Sequence, residues 1–212
     1  MKTKRVALAM AVSLALGVFG GVTTAQAAPV SAWELDSSAG FTNGSWSFGE
    51  VFTVGASNVL VTALGAFDYL RDGFRTSGGI QVGLYNEGTQ QLLASTSVTN
   101  SSSLHGNYRY EDIADILLSA NTQYRVVAVS GGDSYNVLTG TPDQVYSGIT
   151  WNKYGYCRST NLAFCNNFTG TERSWMANMR LDTPDTTNVP EPTSMALMAL
   201  GLLGLGIYRR KA

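Results

Sequence analysis

The sequence predicts an all-β fold, a jelly-roll-like antiparallel β-sandwich flanked by an N-terminal signal helix and a C-terminal hydrophobic helix. Three observations carry that expectation. Short runs rich in β-branched and aromatic residues recur through the middle of the chain. Turn formers separate them: Gly55, Asp72-Gly73, Gly78-Gly79, Asn86-Glu87-Gly88, Asn121 and Gly131-Gly132. No segment of the body has a helical period, so a parallel sheet with crossover helices is disfavoured.

In order, strands are expected at 47–54 (SFGEVFTV), 58–67 (NVLVTALGAF), 80–86 (IQVGLYN), 91–98 (QLLASTSV), 107–113 (NYRYEDI), 122–130 (TQYRVVAVS) and 174–182 (SWMANMRLD). In 58–67 apolar residues fall on both parities, as in a central strand covered on both sides. In 174–182 they alternate. Trp175, Ala177, Met179 and Leu181 take one face, and Ser174, Met176, Asn178 and Arg180 the other, which predicts a single buried face. "LYNEGTQQLLA" reads as a hairpin with Gly88 available for φ > 0. Residues 139–172 interrupt the rhythm and read as a polar loop excursion, and 183–189 as a short stalk. The folded ectodomain is therefore set at 28–182.

The two ends are of another kind. Residues 1–27 place Lys2, Lys4 and Arg5 before an apolar stretch and close on Ala25-Gln26-Ala27, the pattern that signal peptidase cleaves. The other end runs Pro190-Glu191-Pro192, then an uncharged 14-residue run 195–208, then Arg209, Arg210 and Lys211. As a helix that run spans roughly 21 Å, against about 30 Å of hydrocarbon. A permanent span is thus less suited than transient anchoring, with the three cations held on the cytoplasmic side.

These three parts, in this order, resemble the PEP-CTERM sorting signal of Gram-negative, exopolysaccharide-producing bacteria. The resemblance implies an exosortase-type membrane protease acting at Pro190, Glu191 and Pro192, export across the inner membrane, and a final place at the cell surface or outside the cell. The stretch 48–130, through "VTALGAFD", "DGF", "VGLYN", "YRYEDI" and "LSANTQYRVVA", is also similar to a β-sandwich ectodomain of unassigned function that recurs with such tails.

With the end segments set aside, residues 28–192 hold all 15 acids and 8 of the 14 cations, giving 8 − 15 = −7 against −1 for the whole chain. An acidic body has no electrostatic case for nucleic acid. Cys157 and Cys165, in an oxidising compartment, predict a disulfide closing a small loop.

Chemistry-bearing residues are sparse. The sole histidine, His105, lies in a Ser-rich turn without a nucleophile motif and reads as exposed and inert. Asp68, Asp72 and Asp133 flank turns. They are Ca²⁺ candidates, with turn capping favoured over metal binding, and no other metal or cofactor is implied. Trp151, Tyr154 and Tyr156 are the candidate glycan-stacking rings, with Asn152 and Lys153 for hydroxyls; covering the sheet end is their alternative role. The expected function is a non-enzymatic surface or matrix protein associated with exopolysaccharide. A glycan hydrolase using unassigned carboxylates is the alternative, and an ice-binding protein a weaker one.

Overall fold

The computed structural model describes residues 29–35, 39–136, 144–168 and 174–182. The signal peptide, stalk, sorting signal and both terminal helices expected from the sequence lie outside them. The strands are β1 (Val30–Ser31), β2 (Trp33–Glu34), β3 (Gly40–Phe41), β4 (Trp46–Val54), β5 (Val59–Phe67), β6 (Ile80–Asn86), β7 (Leu92–Val98) and β8 (Ser103–His105). They continue with β9 (Tyr108–Leu118), β10 (Gln123–Val129), β11 (Tyr135–Asn136), β12 (Gln144–Val145), β13 (Ile149–Arg158), β14 (Asn167–Phe168) and β15 (Ala177–Asp182). Helical geometry among the described residues is limited to one 3-10 turn, Tyr69–Arg71.

Two antiparallel sheets pack face to face. One has the order β1-β15-β5-β9-β8, the other β14-β13-β4-β10-β6-β7, and the pairs β11-β3 and β12-β2 stand apart. The chain changes sheet between β4 and β5, β5 and β6, β7 and β8, β9 and β10, and β14 and β15. Each crossing returns an alternating strand to the shared core. Phe48, Phe52 and Val54 of β4 join Tyr124, Val126 and Ala128 of β10 and Ile80, Val82 and Leu84 of β6 in that core. Residues of the other parity, including Gly49, Arg125, Val127 and Gly83, lie on the opposite face of the six-stranded sheet.

Three local expectations need correction. Residues 149–158, read as part of a loop, form the ten-residue strand β13 alongside β4. A bulge between Trp151 and Lys153 adds a residue and breaks the two-residue period that would have marked it. In the β6–β7 hairpin Gln90, not Gly88, takes the left-handed conformation, at φ 58°. Its N–H bonds the Asn86 carbonyl at 2.9 Å, and the Asn86 side chain accepts from Thr89 N–H at 2.9 Å. Finally, β15 is buried on both faces, not on one, with only Arg180 half-buried. Residues Ala32 and Trp33 fold against it: Trp33 Nε1 donates to the Ala177 carbonyl at 3.1 Å, and Asn178 Nδ2 to the Trp33 carbonyl at 2.9 Å. β5 is a central strand, buried throughout from Ala63 to Phe67, as its sequence predicts.

Candidate functional site

The bulge at Asn152 determines where the candidate glycan-stacking rings point. Trp151 pairs with Phe52, Tyr154 with Glu50 and Tyr156 with Phe48, so all three share the face that carries the β4 core residues. Tyr154 is buried, and Trp151 and Tyr156 are half-buried against the same core. Trp151 Nε1 donates to the buried Glu50 carboxylate at 2.6 Å, and its ring lies 5.6 Å from that of Trp175. Tyr154 and Tyr156 stack on each other at 5.7 Å. All three rings face the sandwich interior, Tyr154 within the core and Trp151 and Tyr156 packed against it. Of the polar residues beside them, Asn152 accepts from Thr53 Oγ1 at 2.8 Å, and Lys153 Nζ lies 3.9 Å from Glu87.

Cys157 and Cys165 are joined as a disulfide. The loop they close lies across the outer face of the six-stranded sheet, where Ser47 Oγ donates to the Ala163 carbonyl at 2.9 Å and Leu162 N–H to Gln81 at 3.2 Å. His105 is exposed, 3.7 Å from Glu34.

The aspartates act on the loop between β5 and β6. Asp68, 1 % exposed, accepts the Gly73 N–H at 3.0 Å and Arg109 Nε at 2.6 Å. Asp133, also buried, accepts the N–H groups of Arg75 at 2.6 Å and Thr76 at 2.9 Å, and the Thr76 hydroxyl at 2.5 Å. Asn100 completes the frame, its Oδ1 accepting the Phe74 N–H at 2.6 Å and its Nδ2 donating to the Phe74 carbonyl at 3.2 Å. Asp72 stays exposed on the rim. Among the described residues no three metal-ligating side chains come together.

So framed, the loop holds Leu70 and Arg71 at φ 63° and 61°, a left-handed conformation that L-residues adopt at a cost of roughly 1–2 kcal/mol each. Leu70 is 67 % exposed as a result. The Tyr69 ring lies so close to the backbone of Gly40 that a Cβ there would come 2.6 Å from its carbons. Between these groups is a small cleft, with Tyr69, Leu70 and Phe74 as apolar wall and Asp72, Arg75 and Ser134 as polar rim. A second, open groove shares Phe74 and Arg75 with it and is lined by residues 76–79 and 99–101. The trough offers apolar contacts and many hydroxyl, amide and guanidinium hydrogen bonds. Its described lining contains no histidine or cysteine. Strand reading missed it, because the signal is spread over Asp68, Asn100 and Asp133, three side chains of different loops.

The second feature that the sequence did not disclose is Arg125, fully buried on the outer sheet face. Its guanidinium makes a two-pronged pair with Glu87 at 2.8 and 2.7 Å, donates to the Cys165 carbonyl, and stacks on the Phe164 ring.

Among known families, residues 188–211 match the PEP-CTERM protein-sorting motif. This motif marks the chain as an exported protein targeted to exosortase, a membrane protein, with transient anchoring at the membrane. No curated protein matches the chain. No helix among the described residues is long and apolar enough to cross a membrane.

Proposed function

We propose that this exosortase-targeted protein is a non-enzymatic component of the cell surface or extracellular matrix, and that its sandwich associates with exopolysaccharide. The observation that carries the reading is the sorting motif at 188–211 joined to a folded all-β body. The trough beside Tyr69 is the surface best suited to sugar. A half-buried ring and an apolar wall fit the C–H faces of a saccharide, and Arg75, Asp72, Ser134 and the Ser77 hydroxyl fit its oxygens. Three anchored side chains hold it in shape before any ligand arrives, which reduces the ordering entropy of binding.

Cell fractionation with intact-mass measurement tests the export half of this reading. The expected species lacks residues 1–27 and the C-terminal hydrophobic tail, and in a strain without exosortase a form that keeps the tail accumulates instead. Binding of the processed protein to the host's own exopolysaccharide tests the other half. Tyr69→Ala and Arg75→Ala should each weaken it by about tenfold while the fold stays intact. Release of new reducing ends from that polymer would instead establish a hydrolase.

A further inference from the structure

Residues 42–45 connect β3 to β4, and Asn43-Gly44 within them is the one Asn-Gly pair in the chain. Asn43 is exposed to water. Glycine after it means that no Cβ keeps the next backbone nitrogen away from the Asn43 carboxamide. Gly44 has φ 121°, a conformation that glycine alone adopts readily. Its N–H has no hydrogen-bond partner among the described residues.

Three groups converge on this pair. Trp46 Nε1 donates to Asn43 Oδ1 at 2.5 Å, and the Tyr135 hydroxyl donates to the same oxygen at 2.9 Å. An indole N–H can only donate, so it fixes the carboxamide with its oxygen toward the two donors. The third group is Arg158, the last residue of β13. A Cβ on Gly44 would lie 3.3 Å from its Nη2, and its guanidinium carbon is 5.9 Å from the Trp46 ring centre. Two donors already aimed at one carbonyl oxygen, with a cation beside the adjoining peptide, suit the negative charge of a tetrahedral intermediate.

We propose that Asn43 is a self-modification site, where the fold promotes closure of the carboxamide onto the Gly44 nitrogen and its conversion to a carboxylate. The Gly44 nitrogen gives its proton to water or hydroxide and attacks Asn43 Cγ. The carbonyl electron pair moves onto Oδ1, where Trp46 and Tyr135 donate. As the carbonyl re-forms, the Cγ–Nδ2 bond breaks, and Nδ2 takes a proton from water and leaves as ammonia. A second water then opens the succinimide, its hydroxyl going to the carbonyl carbon and its proton to the nitrogen. Breaking the new bond to Cγ gives aspartate, and breaking the original peptide bond gives isoaspartate. Water is the only co-reactant, and nothing is oxidised or reduced.

Peptide mapping of the processed protein, incubated at neutral pH beside the same protein unfolded in urea, tests the idea. The native protein should accumulate aspartate and isoaspartate at position 43 about tenfold faster than the unfolded one. Tyr135→Phe keeps the ring that packs on Phe41 and Phe48, so it should fold normally by circular dichroism. It should slow the native reaction about tenfold, the rate equivalent of one hydrogen bond. Arg158→Gln, at an exposed position, should slow it as well. Hydrogen bonds that merely shielded the turn would have the opposite effect, and both variants would convert faster than the native protein. That result, or native conversion no faster than that of the unfolded chain, would overturn the proposal.

Discussion

The Arg125 guanidinium carbon lies 3.8 Å above the centre of the Phe164 ring, on the face of the six-stranded sheet that points away from the core. That contact exists because the sheet is thin there. Gly155 pairs with Gly49, Gly49 with Val127, and Val127 with Gly83, leaving a row with little side-chain bulk across four strands. A Cβ on Gly83 would come 2.5 Å from Leu162, and one on Gly49 2.8 Å from the Arg125 stem. The disulfide-closed loop lies down in this furrow and covers the charge.

Glu87→Ala should therefore destabilise the fold by about 3 kcal/mol, because removing one partner strands a buried charge. Arg125→Met should cost less, since it deletes that charge and leaves Glu87, whose side chain is 13 % exposed, within reach of water. Urea unfolding of the two variants checks the order. Equal and small effects would mean that Arg125 is held by Phe164 and the Cys165 carbonyl without need of Glu87.

Loss of the disulfide should act on the same assembly. The closed ring has nine residues, 157 through 165, for which chain entropy alone gives about 2.5 kcal/mol. Cys157→Ser/Cys165→Ser is expected to lose that much and to raise amide exchange in residues 159–166 ahead of β4 and β10. Exchange rising uniformly through the sheet would show that the loop has no separate opening.

How far the sequence discloses this molecule depends on the range of each cause. Strands β4, β5, β6, β7, β9 and β10 were legible because alternation and turn residues are local. β13 was hidden by one inserted residue, Asn152, which put Trp151 and Tyr154 out of step and made core rings look like a surface cluster. The disulfide followed from two cysteines, but the burial of Arg125 beneath it depends on glycines in three separate strands. The trough needs Asp68, Asn100 and Asp133 to converge from different loops, which no window of sequence reports.

Gly65 offers a sharper test of packing. It pairs with Tyr110, and a Cβ there would lie 2.6 and 2.7 Å from two carbons of that ring and 3.2 Å from the Arg109 carbonyl. Tyr110 is 1 % exposed, with the Arg180 guanidinium 4.6 Å from its ring centre, so it has little room to yield. Gly65→Ala should cost about 1–3 kcal/mol by overpacking, against a gain of well under that for the reduced freedom of the unfolded chain. Gly132→Ala, where nothing lies within 4 Å, is the control and should be near neutral. A stabilised Gly65→Ala would show that β9 shifts freely against β5.

Alkaline pH should unfold the protein through two buried tyrosines. Burial is the main cause that raises the Tyr108 hydroxyl well above its ordinary value, with neighbouring acidic groups adding to it; burial likewise raises Tyr110. Tyr108 donates to the Trp175 carbonyl at 2.8 Å, and the Tyr110 hydroxyl lies 2.9 Å from Ser31 Oγ, so both side chains are held neutral in the fold. In the unfolded chain each ionises near pH 10. Below that pH both states keep the proton and stability does not depend on these groups. Above it the unfolded state binds fewer protons than the native one, so stability falls by about 1.4 kcal/mol per pH unit for each tyrosine until the folded groups ionise. Tyr108→Phe should lose about 1 kcal/mol at neutral pH with its hydrogen bond, yet show a shallower decline above pH 10, by about one proton. Urea titrations at intervals from pH 8 to 11 measure that slope, and an unchanged slope in Tyr108→Phe would mean that its hydroxyl does not stay protonated in the fold.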